Sequence, residues 1–150
     1  MKAQIRRATL ADYPHFVRLF PELKTGDATA NKGRFESEIV DNMLVVEEGA
    51  TVVGYTFYQR LRDTGYVRHL VVAPEARRKG YGRLLLRAVR EALLAAGLTK
   101  WCLNVEPSNP AAVGLYESMG MAFAYNSCAT KLPWALARRS ASRNLVVDTF

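Results

Sequence analysis

Apolar and polar positions change their period several times along the chain, and each change marks an element. The opening AQIRRAT alternates as a short strand does. Behind it Phe16, Val17, Leu19 and Phe20 gather toward one side of a helix that Asp12 is placed to cap. Residues 21–32 form a polar turn region, and RFESEIVDN reads as a second short helix. Three β-rich runs follow, 43–48, 51–60 and 65–73, separated by Glu48-Gly49 and Asp63-Thr64-Gly65 as in a meander. From 80 to 96 the period becomes helical, with Tyr81, Leu84, Leu85, Ala88, Val89, Ala92, Leu93 and Ala96 as the apolar positions. Gly97 stands where that helix would end. KWCLNVE reads as a strand, NPAAVGLYESMG as a helix opened by Asn-Pro and stopped at Gly120, and MAFAYNSCATKL as a strand. The tail PWALARRSASRN reads as a loop or short helix, and LVVDTF as a last strand. The order β-α-α-β-β-β-α-β-α-β-β predicts a mixed α/β fold, with helices packed on a mixed sheet, in a single domain over 1–150.

Composition narrows the class. A chain of 150 residues that is 49% apolar can bury one ordinary core. No apolar run approaches the ~18 residues of a membrane span, so no membrane partner is expected. The start MKAQIRRATLADY lacks an apolar signal core, and Cys102 and Cys128 form neither a CxxC pair nor a disulfide framework. A reducing, cytoplasmic location is expected, and no metal. The net charge of +7 is localised: residues 60–90 hold nine Lys and Arg against Asp63 and Glu75, while the rest balances at twelve of each sign. Nucleic-acid binders more often spread such charge along a face or a tail. A concentrated excess fits a compact polyanion better, and no nucleic-acid partner is expected.

That excess centres on VVAPEARRKGYGRLLLRAV, residues 71–89. Like charges crowd the start of a helix, where the dipole itself favours an anion. Glycines at 80 and 82 let backbone approach a ligand closely, and the unpaired N–H groups of a first helical turn bind phosphate. Arg77, Arg78, Lys79 and Arg83 surround that point. Two other phosphate motifs are absent: there is no GxxxxGK[ST], and Gly80-Tyr81-Gly82 lacks the third glycine of a dinucleotide fold. Taken alone, the segment is equally a basic loop ahead of an amphipathic helix.

Together with LNVEPSNPAAVGLYESMGM, the segment resembles the GCN5-related N-acetyltransferase (GNAT) family. Arg77, Gly80 and Gly82 match its Arg/Gln-x-x-Gly-x-Gly/Ala signature; Asn109, Ala112, Leu115, Tyr116, Glu117 and Gly120 match its second, with Met121 in place of the usual aromatic. The resemblance follows element order over 1–130 and is most specific over 69–121. It implies a central mixed, mostly antiparallel sheet of about seven strands, splayed between strands 4 and 5 and flanked by about four helices. It also implies acetyl-CoA as co-substrate. The pyrophosphate would lie on residues 77–83, Tyr81 included, with Asn109, Ala112 and Tyr116 also lining the cofactor. The pantetheine arm would run along Leu70, Val71 and Val72, where a backbone N–H can stabilise the oxyanion.

Acyl transfer to an amine needs a neutral amine, a stabilised oxyanion and a proton for the departing thiolate. Tyr116 matches the family's general acid, and an ordinary phenol near ~10 is suited to the last task. Relatives that use a carboxylate base carry it at positions that here are Tyr66 and Asn104, neither of which takes a proton near neutral pH. Asn104 is therefore assigned to a site that works through ordered water or captures amine already neutral. Glu106 is a substitute only if the strand stays regular. Tyr66 and Arg68 share a face of the strand carrying the thioester, and Phe57, Gln59 and Asn104 are placed beside them as an acceptor wall. His69 falls on the opposite face as a packing residue, Cys102 reads as a core thiol, and Arg138, Arg139 and Arg143 as a solvated tail.

The expected function is N-acetylation of a small, amino-acid-like primary amine. The alternative is acetylation of a protein N-terminus or lysine; a non-catalytic CoA- or nucleic-acid-binding module is the reading from another class. The final strand, placed at the sheet edge, raises a homodimer.

Overall fold

The computed structural model describes residues 2–105, 110–123 and 143–147. They form two compact units, Met1–Tyr58 with His69–Glu91, and Gln59–Arg68 with Ala92–Phe150. In the first unit the strands are β1 (Ala3–Arg7), β2 (Met43–Glu48), β3 (Thr51–Leu61) and β4 (Thr64–Val72), adjacent in that order. The far ends of β3 and β4 belong to the second unit, where β4 is followed by β5 (Lys100–Val105), β7 (Arg143–Val147) and β6 (Ala122–Phe123). The ladders are antiparallel for β1–β2, β2–β3, β5–β7 and β6–β7 and parallel for β4–β5. A parallel pair requires a crossover, which helix α3 (Tyr81–Ala95) supplies in sequence. The β4–β5 register runs from Thr64↔Lys100 to Val67↔Leu103 and ends there, the short pairing expected of strands that splay.

The first unit closes around aromatic rings. Helix α1 (Tyr13–Leu19) turns Phe16 and Leu19 inward, and Phe20 follows them. Val17 is 39% exposed, against expectation, because one further residue turns the side chain by ~100° from Phe16. Asp12 does not cap α1 through its side chain. It is 2% exposed and accepts both terminal nitrogens of Arg6, at 2.8 and 2.9 Å, and the Thr9 amide at 2.8 Å. The second helical segment is irregular: α2 (Lys32–Arg34) passes into a π turn over Phe35–Ile39 and a 3-10 turn over Val40–Asn42. Phe35, Ile39 and Val40 are thereby all buried. Burial of each large apolar side chain contributes about 1.5–3 kcal/mol.

In the second unit Trp101, Cys102 and Leu103 are buried in succession, as on a strand covered on both faces. β7 lies between β5 and β6, paired from Trp101↔Val147 to Val105↔Arg143 and again at Ala122↔Val146. The tail strand is thus interior, not at an edge, and begins at Arg143, two residues before LVVDTF. With both neighbours in its own chain, it gives no strand-exchange reason for a homodimer. Helix α3, which belongs to the first unit as far as Glu91, buries Tyr81, Leu85, Leu86, Val89 and Leu93. Leu86 replaces the expected Leu84, since a stripe at i, i+1, i+4 and i+8 from Leu85 selects it. Of the loop or short helix expected over 133–144, residues 133–142 lie outside the described residues and 143–144 are strand; most of the strand expected over 121–132 also lies outside them.

Candidate active site

The turn between β4 and α3 is built from strand end, 3-10 turn and glycine. Pro74–Ala76 makes one 3-10 turn, closed by Ala76 N–H to the Ala73 carbonyl at 2.9 Å. Arg78 (φ 65°) and Gly80 (φ 85°) then adopt left-handed backbone. A Cβ at Gly80 would meet nothing within 4 Å, so the requirement there is conformational and not one of space. The Leu84 amide donates to the Gly80 carbonyl at 3.1 Å and starts the α3 ladder. The amides of Tyr81 and Gly82 precede that bond in the first turn of α3, where backbone N–H groups lie ahead of the helical ladder in the arrangement that receives anions.

The basic side chains of this turn do not all stand open. Arg77 donates from Nε to the Val72 carbonyl at 3.0 Å and from its terminal nitrogen to Glu22 at 3.1 Å. Lys79 lies 3.2 Å from the Glu48 carboxylate, which also accepts the hydroxyl proton of Tyr81. The Tyr81 hydroxyl, then Lys79, hold the Glu48 carboxyl below its usual range, and Glu48 in turn raises the Tyr81 hydroxyl. Tyr81, expected among the cofactor contacts, is buried with its hydroxyl committed to Glu48. In the sequence Glu48 is a turn residue and Glu22 lies in a polar turn region. Nothing local marks these pairings, which join positions 55 and 33 residues apart.

Leu70 and Val72 are half-buried and Val71 is buried on β4. A second glycine matters here. A Cβ at Gly54 on β3 would stand 2.8 Å from the Val71 carbonyl oxygen and 3.3 Å from Val72 Cα, so a side chain would force β3 off this strand. Beside it the Ala73 amide donates to the Val53 carbonyl at 2.7 Å. His69 lies among Phe16, Phe20, Tyr55 and Phe57, with its Nδ1 3.2 Å from the Tyr55 hydroxyl. That is a packing environment, as expected. Phe57, expected in the acceptor wall, shares it: its ring centroid is 5.3 Å from that of His69 and the residue is 5% exposed, in the hydrophobic core. Gln59 is half-buried further along β3.

In the second unit Arg68 is exposed and its guanidinium lies 5.0 Å from the centroid of the half-buried Tyr66 ring, a cation–π contact between i and i+2 on one strand face. Asn104 is on β5, in register with Asn144 on β7. Asn109 and Glu106 lie outside the described residues. Helix α4 (Pro110–Ser118) carries Ala112, half-buried, and Tyr116, 8% exposed. Burial pushes the Tyr116 hydroxyl up to about 12. The helix ends in a Schellman motif: Gly120 N–H donates to the Glu117 carbonyl at 3.0 Å and Met121 N–H to that of Tyr116 at 3.2 Å, with Gly120 at φ 92°. Buried Met121 follows at the position where this motif packs an apolar residue, so methionine serves there in place of an aromatic. No group of three or more potential metal ligands occurs among the described residues.

The first unit thus carries a glycine turn that feeds the start of α3, and in the second the parallel β4–β5 ladder ends at Val67↔Leu103. The chain belongs to the acetyltransferase (GNAT) family, whose model matches residues 6–121. It is 27% identical over 124 residues to a candidate ribosomal protein bS18-alanine N-acetyltransferase of Bacillus subtilis (strain 168), covering 80% of this chain and 81% of that one. It is 33% identical over 69 residues to the ribosomal protein bS18-alanine N-acetyltransferase of Salmonella typhimurium, which covers 46% of this chain and 47% of the relative. Among solved structures, the PaiA N-acetyltransferase of Thermoplasma acidophilum in complex with coenzyme A superposes with a TM-score of 0.76 over the full length of both chains, at 14% identity, a likeness of fold alone.

Proposed function

We propose that this protein transfers the acetyl group of acetyl-CoA to the α-amine of a protein N-terminus. The observation that carries the reading is the similarity to bS18-alanine N-acetyltransferases, in one case over four fifths of the chain. It favours a protein acceptor over the small amine expected from sequence. The missing base points the same way. Tyr66 and Asn104 stand where a carboxylate would, so the site relies on amine that is already neutral or on water. An α-amine near ~7.7–8.0 is substantially neutral at pH 7.5, whereas a lysine near ~10.4 is neutral in only about one molecule in a thousand. The first-turn amides of α3 would receive the pyrophosphate, and the β4 amides near Leu70 and Val72 the thioester oxyanion.

Tyr116 would serve the leaving thiolate. With its hydroxyl pushed up to about 12 it stays protonated throughout the working range, and acts as a hydrogen-bond donor in a dry setting more than as a matched acid. An acceptor panel tests the reading: a peptide with a free α-amine, the same peptide blocked at its N-terminus but carrying lysine, free amino acids and a polyamine, each with acetyl-CoA. Mass spectrometry and thiol release should report acetylation of the free α-amine peptide above all others. Preferential acetylation of lysine, amino acid or polyamine, or cofactor binding without any turnover, would refute it.

A further inference from the structure

The turn between β4 and α3 is anchored from outside by two carboxylates of the first unit. Glu22, in the 3-10 turn Phe20–Leu23, holds Arg77; Glu48, closing β2, holds both Lys79 and Tyr81. Between these anchors the backbone passes through two left-handed residues, Arg78 and Gly80. For a residue with a Cβ that conformation costs about 1–2 kcal/mol, so Arg78 keeps it only where surrounding bonds require it. The Glu48 anchor bears directly on the start of α3. It takes two donors, one of them the hydroxyl of a buried tyrosine in the first turn of α3, and a hydrogen bond to a charged acceptor is about twice as strong as a neutral one.

We propose that Glu48 is a positioning residue for the acyl donor. By fixing Tyr81 and Lys79 it keeps the first-turn amides of α3 aimed as an anion receptor, although it is itself an anion. The inference rests on the reading that this turn takes the pyrophosphate of acetyl-CoA. Plain electrostatics predicts the opposite sign: removing a carboxylate close to a phosphate site should tighten binding. The two accounts therefore separate cleanly.

The experiment is calorimetric titration with acetyl-CoA, alongside steady-state kinetics, on the unaltered protein and on Glu48→Ala, Glu48→Gln, Tyr81→Phe and the Glu48→Ala/Tyr81→Phe pair. Positioning predicts a Kd and KM raised about tenfold in Glu48→Ala and in Tyr81→Phe, with kcat within about twofold. The pair should be scarcely worse than Glu48→Ala, because the Tyr81–Glu48 bond is already lost in that variant. Glu48→Gln, which keeps an acceptor for the Tyr81 hydroxyl, should lose only about threefold. Should Glu48→Ala fail to fold by circular dichroism, Tyr81→Phe and Glu48→Gln decide the matter alone. Unchanged or tighter binding in the variants that fold, or losses in the pair that simply multiply, would overturn the proposal. If the unaltered protein does not bind acetyl-CoA, the functional reading itself fails and this inference with it.

Discussion

Tyr116 shows how one residue's setting changes its expected role. An exposed phenol near ~10 would exchange protons readily with a thiolate, but burial pushes this hydroxyl up to about 12. Its neutral form is favoured, so no alkaline fall in kcat from its ionisation is expected below about pH 11. Tyr116→Phe should lower kcat by about 10²–10⁴-fold while acetyl-CoA affinity stays the same, measured by single-turnover kinetics and titration. A variant retaining most of its kcat leaves the hydroxyl without a part in the reaction. Stability is linked with the same sign. The folded-state value lies above the unfolded one, so the contribution is whole below about pH 10 and is lost as pH rises from there toward about 12.

Among the elements, the two glycine-ended helices are the most legible. Gly97 at φ 84° and Gly120 at φ 92° both close Schellman motifs; in α3 the bonds run from Leu98 to Leu93 and from Gly97 to Leu94, each at 2.9 Å. Placing both ends needed only the glycine and the last apolar residue before it. A Cβ at Gly120 would meet nothing within 4 Å, so a substitution there is resisted by backbone strain alone. Gly120→Ala should cost about 1–2 kcal/mol in urea unfolding, and Gly120→Asn distinctly less, because asparagine tolerates the left-handed region. Equal costs for the two would mean that something other than φ is being read. Gly65 differs in kind: a Cβ there would fall 2.4 Å from buried Leu93, so space decides, and no local pattern announces it.

At the scale of the whole molecule the charge distribution matters most. The entire excess of +7 lies within residues 60–90, yet Arg77 and Lys79 are already paired with Glu22 and Glu48. On the proposed reading the attraction for a polyanion would therefore come from the summed field and the helix-start amides more than from those two side chains. Raising salt from 50 to 300 mM should increase the KM for acetyl-CoA several-fold, as the screening length falls from roughly 14 to about 6 Å, while kcat is nearly constant. A KM indifferent to salt would place the recognition in backbone amides alone.

Sequence by itself determined the element order, the ends of α3 and α4, the glycine turn ahead of α3, and the two motifs that carry the family. Each of these is written in side-chain period or turn chemistry over a few neighbouring residues. Tertiary structure alone decided that β7 inserts between β5 and β6, that Phe57 belongs with His69 in the aromatic core, and that Gly54 and Gly65 are there for close approach. It alone decided, too, that two distant glutamates hold the turn. The reason is common to all four. They are relations between residues a dozen or more positions apart, chosen by packing and charge pairing once the chain is folded, and the local pattern at either partner is compatible with many others.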